Sequence, residues 1–191
     1  MSTIILLVVL GVIVLWVIGA YNGLISLKNQ VLNAWKQIDV QLKRRHDLIP
    51  NLVNAVRGAM AFERDTLERV ITARNQAVAA NSMKDKLEAE TALSGAVRQL
   101  FALFENYPTL RANENVLRLQ EELTTTENQL GFSRQFYNDT AMRFNTQQEV
   151  FPSNLIAGHF GFQRAEFFTA AEEEKATPRV DLSLRRATGG S

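Results

Sequence analysis

The first 27 residues contain no charged side chain, and this feature constrains the chain more than any other. Residues Ile4 to Ala20 form an uninterrupted run of 17 apolar residues. With the flanking residues up to position 24, a helix rising about 1.5 Å per residue covers the roughly 30 Å hydrocarbon core of a bilayer. We therefore predict a membrane-spanning helix over residues 1–24. Representative residues of this span are Ile4, Leu10, Leu15, Trp16 and Ala20.

The span is expected to stay on the protein as an anchor. A cleaved signal peptide needs a basic region before its apolar core, and none precedes the run. Lipidation of a lipoprotein needs a cysteine, and the chain contains none. Lys28 and Lys36 follow the run, so the positive-inside rule predicts a cytoplasmic domain and an N-terminus outside.

Composition limits the chemistry of the remaining chain. Without cysteine, disulfide scaffolds, zinc ribbons, iron–sulfur clusters and thiol nucleophiles are excluded. Lys and Arg number 21 against 20 Asp and Glu, a net charge of +1. Because no general positive field exists, we predict no nucleic-acid partner.

Helical periodicity dominates the sequence after the span. Between Tyr21 and Glu149 the only prolines are Pro50 and Pro108, which leaves room for long helices. Apolar steps of three and four predict a first helix that continues out of the membrane and kinks or restarts around Pro50. The seam of this helix is Val31, Trp35, Ile38, Leu42, Arg45 and Ile49.

Three further helices are predicted. A second carries an apolar stripe from Leu52 to Val78, a third follows the capping residue Ser82, and a fourth follows Asn113. The fold class is therefore all-α: an N-terminal transmembrane helix continuing into an antiparallel bundle of long helices. We place the transmembrane helix at 1–24, the bundle at 25–150, an aromatic segment at 151–170 and a flexible tail at 171–191.

Counting helix directions predicts that the chain returns to the bilayer after residue 150. Five of the 11 phenylalanines fall in the aromatic segment. Either their rings lie in the membrane interface, or the segment packs on the open end of the bundle and completes its core. The five are Phe151, Phe160, Phe162, Phe167 and Phe168.

The sequence contains few residues arranged for catalysis. His46 and His159 have no metal-ligand spacing around them, and no phosphate-binding glycine loop is present, so we predict no catalytic residue, metal or cofactor. His46 is interpreted as polar helix surface. Arg45 lies on the apolar seam, so it must find a partner or extend to the bundle end, and Glu127 is one candidate partner. Asp39 completes a predicted polar network between helices.

Several motifs resemble the signature of the LemA family of bacterial membrane proteins. They are Tyr21-Asn22, residues 34–53 (AWKQIDVQLKRRHDLIPNLV), Tyr107-Pro108, Leu110, Ala112-Asn113, Leu119-Gln120, Leu123, Tyr137-Asn138, Phe144-Asn145, Phe151-Pro152, Gly161-Phe162 and Phe167-Phe168. Two departures are His46, where an aromatic is expected, and residues 132–134. The resemblance implies one membrane helix, a helical bundle, a bacterial inner-membrane location, no established enzyme activity and relatives among magnetosome-membrane proteins.

Three functions are weighed from these observations. The first is a membrane-anchored scaffold that self-associates or recruits unidentified protein partners at the bilayer, with no catalysis. The second is a small-molecule-binding or accessory subunit of a membrane enzyme complex. Its site would use Asp39, Arg45, Asn51, Asn113 and Glu127. The third is membrane remodelling by the aromatic segment.

Overall fold

A computed structural model describes residues 1–168 of the protein. The predicted tail at 171–191 therefore lies outside the described residues. Helices account for the regular structure of residues 1–168, with no strand among them. They are α1 (Ser2–Val56), α2 (Arg64–Ala79), α3 (Met83–Leu103), α4 (Pro108–Arg111), α5 (Glu114–Glu149) and α6 (Ser153–His159), with a 3₁₀ turn at Phe104–Asn106.

α1 is one continuous helix of 55 residues that carries the apolar run into the bundle. The predicted restart at Pro50 is wrong, because the helix runs through this residue to Val56. Proline has no N–H to donate to the carbonyl four residues earlier, which is that of His46. The guanidinium of Arg74, on α2, donates to this carbonyl instead, with Nε and O 3.1 Å apart.

The predicted second helix begins later than expected. Leu52 and Val53 lie on α1, and Met60 is buried in the turn before α2 begins at Arg64. The two capping predictions are confirmed. The Ser82 side chain accepts from the backbone N–H of Asp85 at the start of α3, and Asn113 accepts from the N–H groups of residues 115 and 116 at the start of α5.

The long helices pack as an antiparallel bundle, as predicted. α1 and α5 lie against each other, and α2 and α3 form a hairpin packed on the part of α1 farther from the span. This distal half has its own core of buried apolar residues from α1, α2, α3 and α5. It includes Ile49, Leu52, Met60, Val70, Leu93, Leu100 and Leu123.

A second core fills the half of the bundle nearer the span. α1 and α5 supply most of it, the start of α3 packs against it through Met83 and Leu87, and α6 and the chain after α6 complete it. Its buried members include Leu24, Ile38, Leu130, Tyr137, Phe144 and Ile156. The C-terminal part of the described chain is therefore structural as well as close to the membrane span.

Candidate membrane-proximal site and buried polar cluster

The apolar run of α1 has the properties of a membrane span. An 18-residue window of this helix has a mean hydropathy of 3.0 and buries no residue inside the protein. Ile4, Leu10, Leu15 and Trp16 are all exposed. Within residues 1–168, α1 is the one helix long and apolar enough to cross a bilayer. Ala20, at the end of the run, is partly buried against the proximal core.

The chain after α5 returns to the end of this span, where helix parity predicts it. The ring of Phe160 lies 4.7 Å from that of Tyr21, and the ring of Phe162 lies 5.9 Å from it. Between them Gly161 has φ = 65°, a conformation that favours glycine. The N–H of Phe162 donates to the carbonyl of Ala157, and that of Gly161 to Gly158, which closes α6 with a Schellman motif.

Beyond Gly161, the chain runs along α5 as an extended strap, defined here as residues 162–168. Asn145 donates to the carbonyl of Ala165 across 2.9 Å and accepts from its N–H across 2.8 Å. Asn138 forms the same pair of bonds with Phe168, at 2.8 and 2.7 Å. Asn138 and Asn145 are seven residues apart on α5, which is a rise of about 10 Å along a helix. Their partners Ala165 and Phe168 are three residues apart in extended chain, which also spans about 10 Å. The spacing of the two asparagines therefore matches the spacing of the strap residues that they bind.

The five predicted interfacial aromatics divide into three groups. Phe168 is not available to lipid: it is 4% exposed and packs against Trp35, with ring centroids 6.1 Å apart. Phe162 is partly buried against the proximal core, with its ring 6.3 Å from that of Phe144. Phe167 is exposed, yet it lies beside Asn138, about 20 Å along α5 from residue 151. Phe151 and Phe160 remain exposed near the span.

A buried charged cluster joins α1, α3 and α5 in the middle of the bundle. Arg45 donates to Glu90 across 2.9 Å, and these side chains are 4% and 1% exposed. His46 Nε2 lies 2.6 Å from the other oxygen of Glu90. Arg45 also donates to Ser94 Oγ across 2.8 Å, and its Nη2 lies 3.1 Å from Glu127. The polar-surface interpretation of His46 is therefore wrong: α3 covers its ring and supplies its partner.

The predicted network of Asp39, Arg45 and Glu127 is brought together only in part. Arg45 and Glu127 form an ion pair, whereas Asp39 pairs with Lys86 across 2.9 Å. The ammonium of Lys86 also lies 5.1 Å from the ring centroid of Trp35, which fixes the start of α3 on α1. Asn51 and Asn113, expected in the small-molecule site, lie on the exposed surface and at the N-terminus of α5.

Sequence reasoning did not identify Glu90, and it assigned no partner to His46, Asn138 or Asn145. Glu90 falls in the apolar pattern of α3, and a charged residue at such a position signals a buried pair. The asparagines each follow an inward-facing aromatic, and the pairs Tyr137-Asn138 and Phe144-Asn145 repeat after seven residues. That repeat was a usable signal for a second segment bound along one face of α5.

The described residues provide limited means for chemistry. No group of His, Asp and Glu in residues 1–168 is arranged to hold a metal ion. Burial raises the pKa of the Tyr137 hydroxyl, and the Glu166 carboxylate adds to this effect. Burial and the hydrogen bond to Glu63 raise the pKa of Tyr107 in the same way. A cavity of about 210 Å³ lies beside Arg45, with Arg98, Phe101 and Glu127 on its wall.

These features define a membrane-associated protein whose apolar N-terminal helix continues into an antiparallel helical bundle. The sequence also places it in a family, because residues 34–182 match the LemA family. The chain belongs to the LemA family, and the resemblance seen in its motifs is confirmed.

The chain is similar to three known proteins over most of its length. It is 26% identical over 180 residues to Protein LemA of Metamycoplasma hominis, covering 93% of this chain and 80% of the relative. It is 23% identical over 193 residues to Magnetosome protein MamQ 2 of Paramagnetospirillum magneticum, covering 86% and 71%. With Magnetosome protein MamQ of Magnetospirillum gryphiswaldense the identity is 21%, with the same coverage. None of these names denotes an enzyme.

Proposed function

We propose that this protein is a non-catalytic scaffold of the bacterial inner membrane that self-associates through the outer face of its bundle. The span anchors the chain, and the bundle presents a surface to further copies and to partner proteins. The bundle lies on the cytoplasmic side, as the basic residues that follow the span favour. Membership of the LemA family and similarity to two proteins named for the magnetosome support a role at a membrane.

The observation that carries the proposal is an exposed aromatic pair on α5. Phe132 and Phe136 are 73% and 51% exposed and lie one helical turn apart. Both lie outside the membrane span, in a part of the bundle where water would otherwise cover them. Aromatic residues that face solvent together are typical of protein–protein contact surfaces.

Two further features support association between copies. α1 runs without a break for about 48 Å beyond residue 24, so one helix joins the span to the bundle. Gly11, Gly19 and Gly23 lie in the span, and nothing within this chain approaches the Cβ position at any of them. Small residues in a span allow another helix to approach closely.

The absence of cysteine from the sequence permits a direct test. A single Phe132→Cys substitution places one thiol on the proposed contact face, and mild oxidation in native membranes links copies whose faces meet. We expect a disulfide-linked dimer of the full-length chain on non-reducing gels. Phe62→Cys is the matched control, because Phe62 is also an exposed phenylalanine but lies in the turn between α1 and α2.

The outcome separates contact from random collision. Efficient linkage at position 132 with little at position 62 supports the proposed face. Equal, low linkage at both positions would contradict it. Replacing Phe136 with Ser in the Phe132→Cys background is expected to lower the linkage, since Phe136 contributes to the same face.

Orientation is tested in the same membranes. A membrane-impermeant thiol reagent added to sealed, right-side-out vesicles should leave Phe62→Cys unlabelled when the bundle is cytoplasmic. Labelling before the vesicles are opened would place the bundle outside and overturn the proposed topology.

Small-molecule binding is the second candidate function, and the cavity beside Arg45 favours it. Arg45, Arg98 and Glu127 offer both signs of charge at its wall. Native mass spectrometry of the purified full-length protein tests this role. A bound mass that is lost in an Arg98→Ala variant would support it, and an unliganded mass from freshly extracted protein would count against it.

A further inference from the structure

A short amphipathic unit lies beside the end of the membrane span. It is called the foot here and comprises residues 151–162, with α6 at its centre. Ser153, Ile156 and Ala157 are its buried side, packed against α1 and α5. Phe151, Leu155 and Phe160 are its outer side, and they are 79%, 60% and 52% exposed. The protein leaves at least half of each of these three large apolar side chains uncovered.

The position of the foot along α1 gives the depth of these side chains. The rings of Phe160 and Phe162 lie 4.7 and 5.9 Å from that of Tyr21. Tyr21 directly follows the 17-residue apolar run, whose length of about 26 Å is needed to cross the hydrocarbon core. The end of the foot is therefore level with the end of the span.

The backbone N–H groups at the end of the foot are hydrogen-bonded within the foot itself. At membrane depth, an unpaired carbonyl or N–H group carries a large free-energy cost. The N–H groups of Phe160, Gly161 and Phe162 donate to carbonyls of α6 itself, at 3.0, 3.3 and 3.0 Å. The end of this helix thus needs no water to satisfy those groups.

We propose that the foot is a second membrane contact, with Phe151, Leu155 and Phe160 inserted in the interfacial layer of the leaflet from which the span emerges. The occupant of this apolar surface is the lipid of the host bilayer. Because α6 is packed on both α1 and α5, its insertion fixes the angle between the bundle and the membrane. This contact is separate from the scaffold face at Phe132 and Phe136.

The test uses the full-length protein in phosphatidylglycerol and phosphatidylcholine nanodiscs. A single Leu155→Cys substitution is labelled with an environment-sensitive fluorophore, and lipids carrying nitroxides just below the headgroup serve as quenchers. Phe62→Cys is the control, because Phe62 is also an exposed apolar residue but lies at the far end of the bundle. We expect blue-shifted, quenched emission at position 155 and red-shifted, unquenched emission at position 62.

Two results would overturn the proposal. Emission at position 155 like that at position 62 would mean that water covers the foot. Blue-shifted emission that nitroxide lipids leave unquenched would mean that another protein copy covers it. Asn154→Cys provides a second labelled site on α6 beside Leu155, and a folded far-UV circular dichroism spectrum of each variant excludes loss of the bundle as the cause.

A second measurement tests the same contact without a label. The double variant Phe151→Ser and Leu155→Ser keeps the buried side of α6 and the contact of Phe160 with Tyr21, and it removes apolar area from the outer side. Hydrogen exchange of residues 151–162 in nanodiscs should rise in this variant, while exchange in α3 stays unchanged. Unchanged exchange across the foot would contradict insertion.

Discussion

The guanidinium of Arg74 donates to the backbone carbonyl of His46 across 3.1 Å, and this carbonyl is the one that Pro50 cannot serve. A side chain from α2 thus replaces the hydrogen bond that proline removes from α1. The replacement explains why a helix with an internal proline stays continuous, and it joins the hairpin of α2 and α3 to α1.

A double-mutant cycle tests this relationship. Arg74→Ala is expected to lower the free energy of unfolding by about 1–3 kcal/mol, since it leaves a carbonyl without a donor. In a Pro50→Ala background, residue 50 regains an N–H for the same carbonyl, so Arg74→Ala should cost distinctly less. Urea unfolding of the full chain in detergent measures both steps. Arg69→Ala is the control on α2, and equal costs in both backgrounds would refute the explanation.

Removing Glu90 is predicted to be among the most damaging single substitutions. Glu90→Ala leaves Arg45 and His46 buried without their shared carboxylate, and breaking a buried charge pair costs about 3–5 kcal/mol. Glu88→Ala, two residues away, removes an exposed carboxylate 3.9 Å from Lys84 and should change stability by less than about 1 kcal/mol. Thermal unfolding followed by circular dichroism compares the two. Similar losses would mean that burial does not decide the effect.

The asparagine pairs are predicted to hold the strap on α5. Asn145→Ala removes the donor and the acceptor that bind Ala165, so amide exchange across residues 163–168 should speed up. Adding Asn138→Ala should free the strap further. Hydrogen exchange with mass spectrometry reads this peptide directly. Asn128→Ala is the control because it is an exposed asparagine of the same helix; faster exchange there as well would argue against a specific clasp.

Alkaline pH is predicted to weaken the proximal core through Tyr137. Its hydroxyl donates to the carbonyl of Glu166 across 2.9 Å, and burial raises its pKa above 10.0. The neutral form is thus favoured in the folded state, so its stabilisation is complete below about pH 10 and is lost as pH rises through the folded pKa. Tyr137→Phe removes this dependence.

The measurement is the free energy of unfolding of both proteins at successive pH values. At about pH 8 the wild type should be more stable by about 1 kcal/mol, the net value of one hydrogen bond. The difference should shrink above about pH 10, as the wild-type hydroxyl begins to ionise. A constant difference over the alkaline range would contradict the role assigned to Tyr137.

The fold was predictable because its signals are local. The uncharged run ending at Ala20, the caps at Ser82 and Asn113, and steps of three and four residues each report on one helix at a time. Helix parity then placed the aromatic segment near Tyr21. The continuity of α1 was not predictable, since it depends on Arg74, which is 24 residues beyond Pro50 in sequence and is brought there only by the turn before α2.

The polar site was predictable only in part for a related reason. Arg45 stood out because a charge on an apolar seam needs a partner, but its main partner is Glu90 on α3, and Glu127 is secondary. Choosing between two glutamates requires the rotation of each helix about its axis, which sequence spacing leaves open. Likewise, Phe160 and Phe168 look alike in sequence, and only the strap along α5 separates the exposed ring from the buried one.

The central claim is that this membrane-anchored bundle works as a self-associating scaffold, and the mass of the assembly tests it most directly. Full-length protein extracted with its native lipids into nanodiscs would be weighed by mass photometry, beside a Phe132→Ser and Phe136→Ser variant. The account predicts a discrete oligomer for the wild type and a shift toward monomer for the variant. A wild-type protein that remains monomeric over the whole concentration range would contradict it.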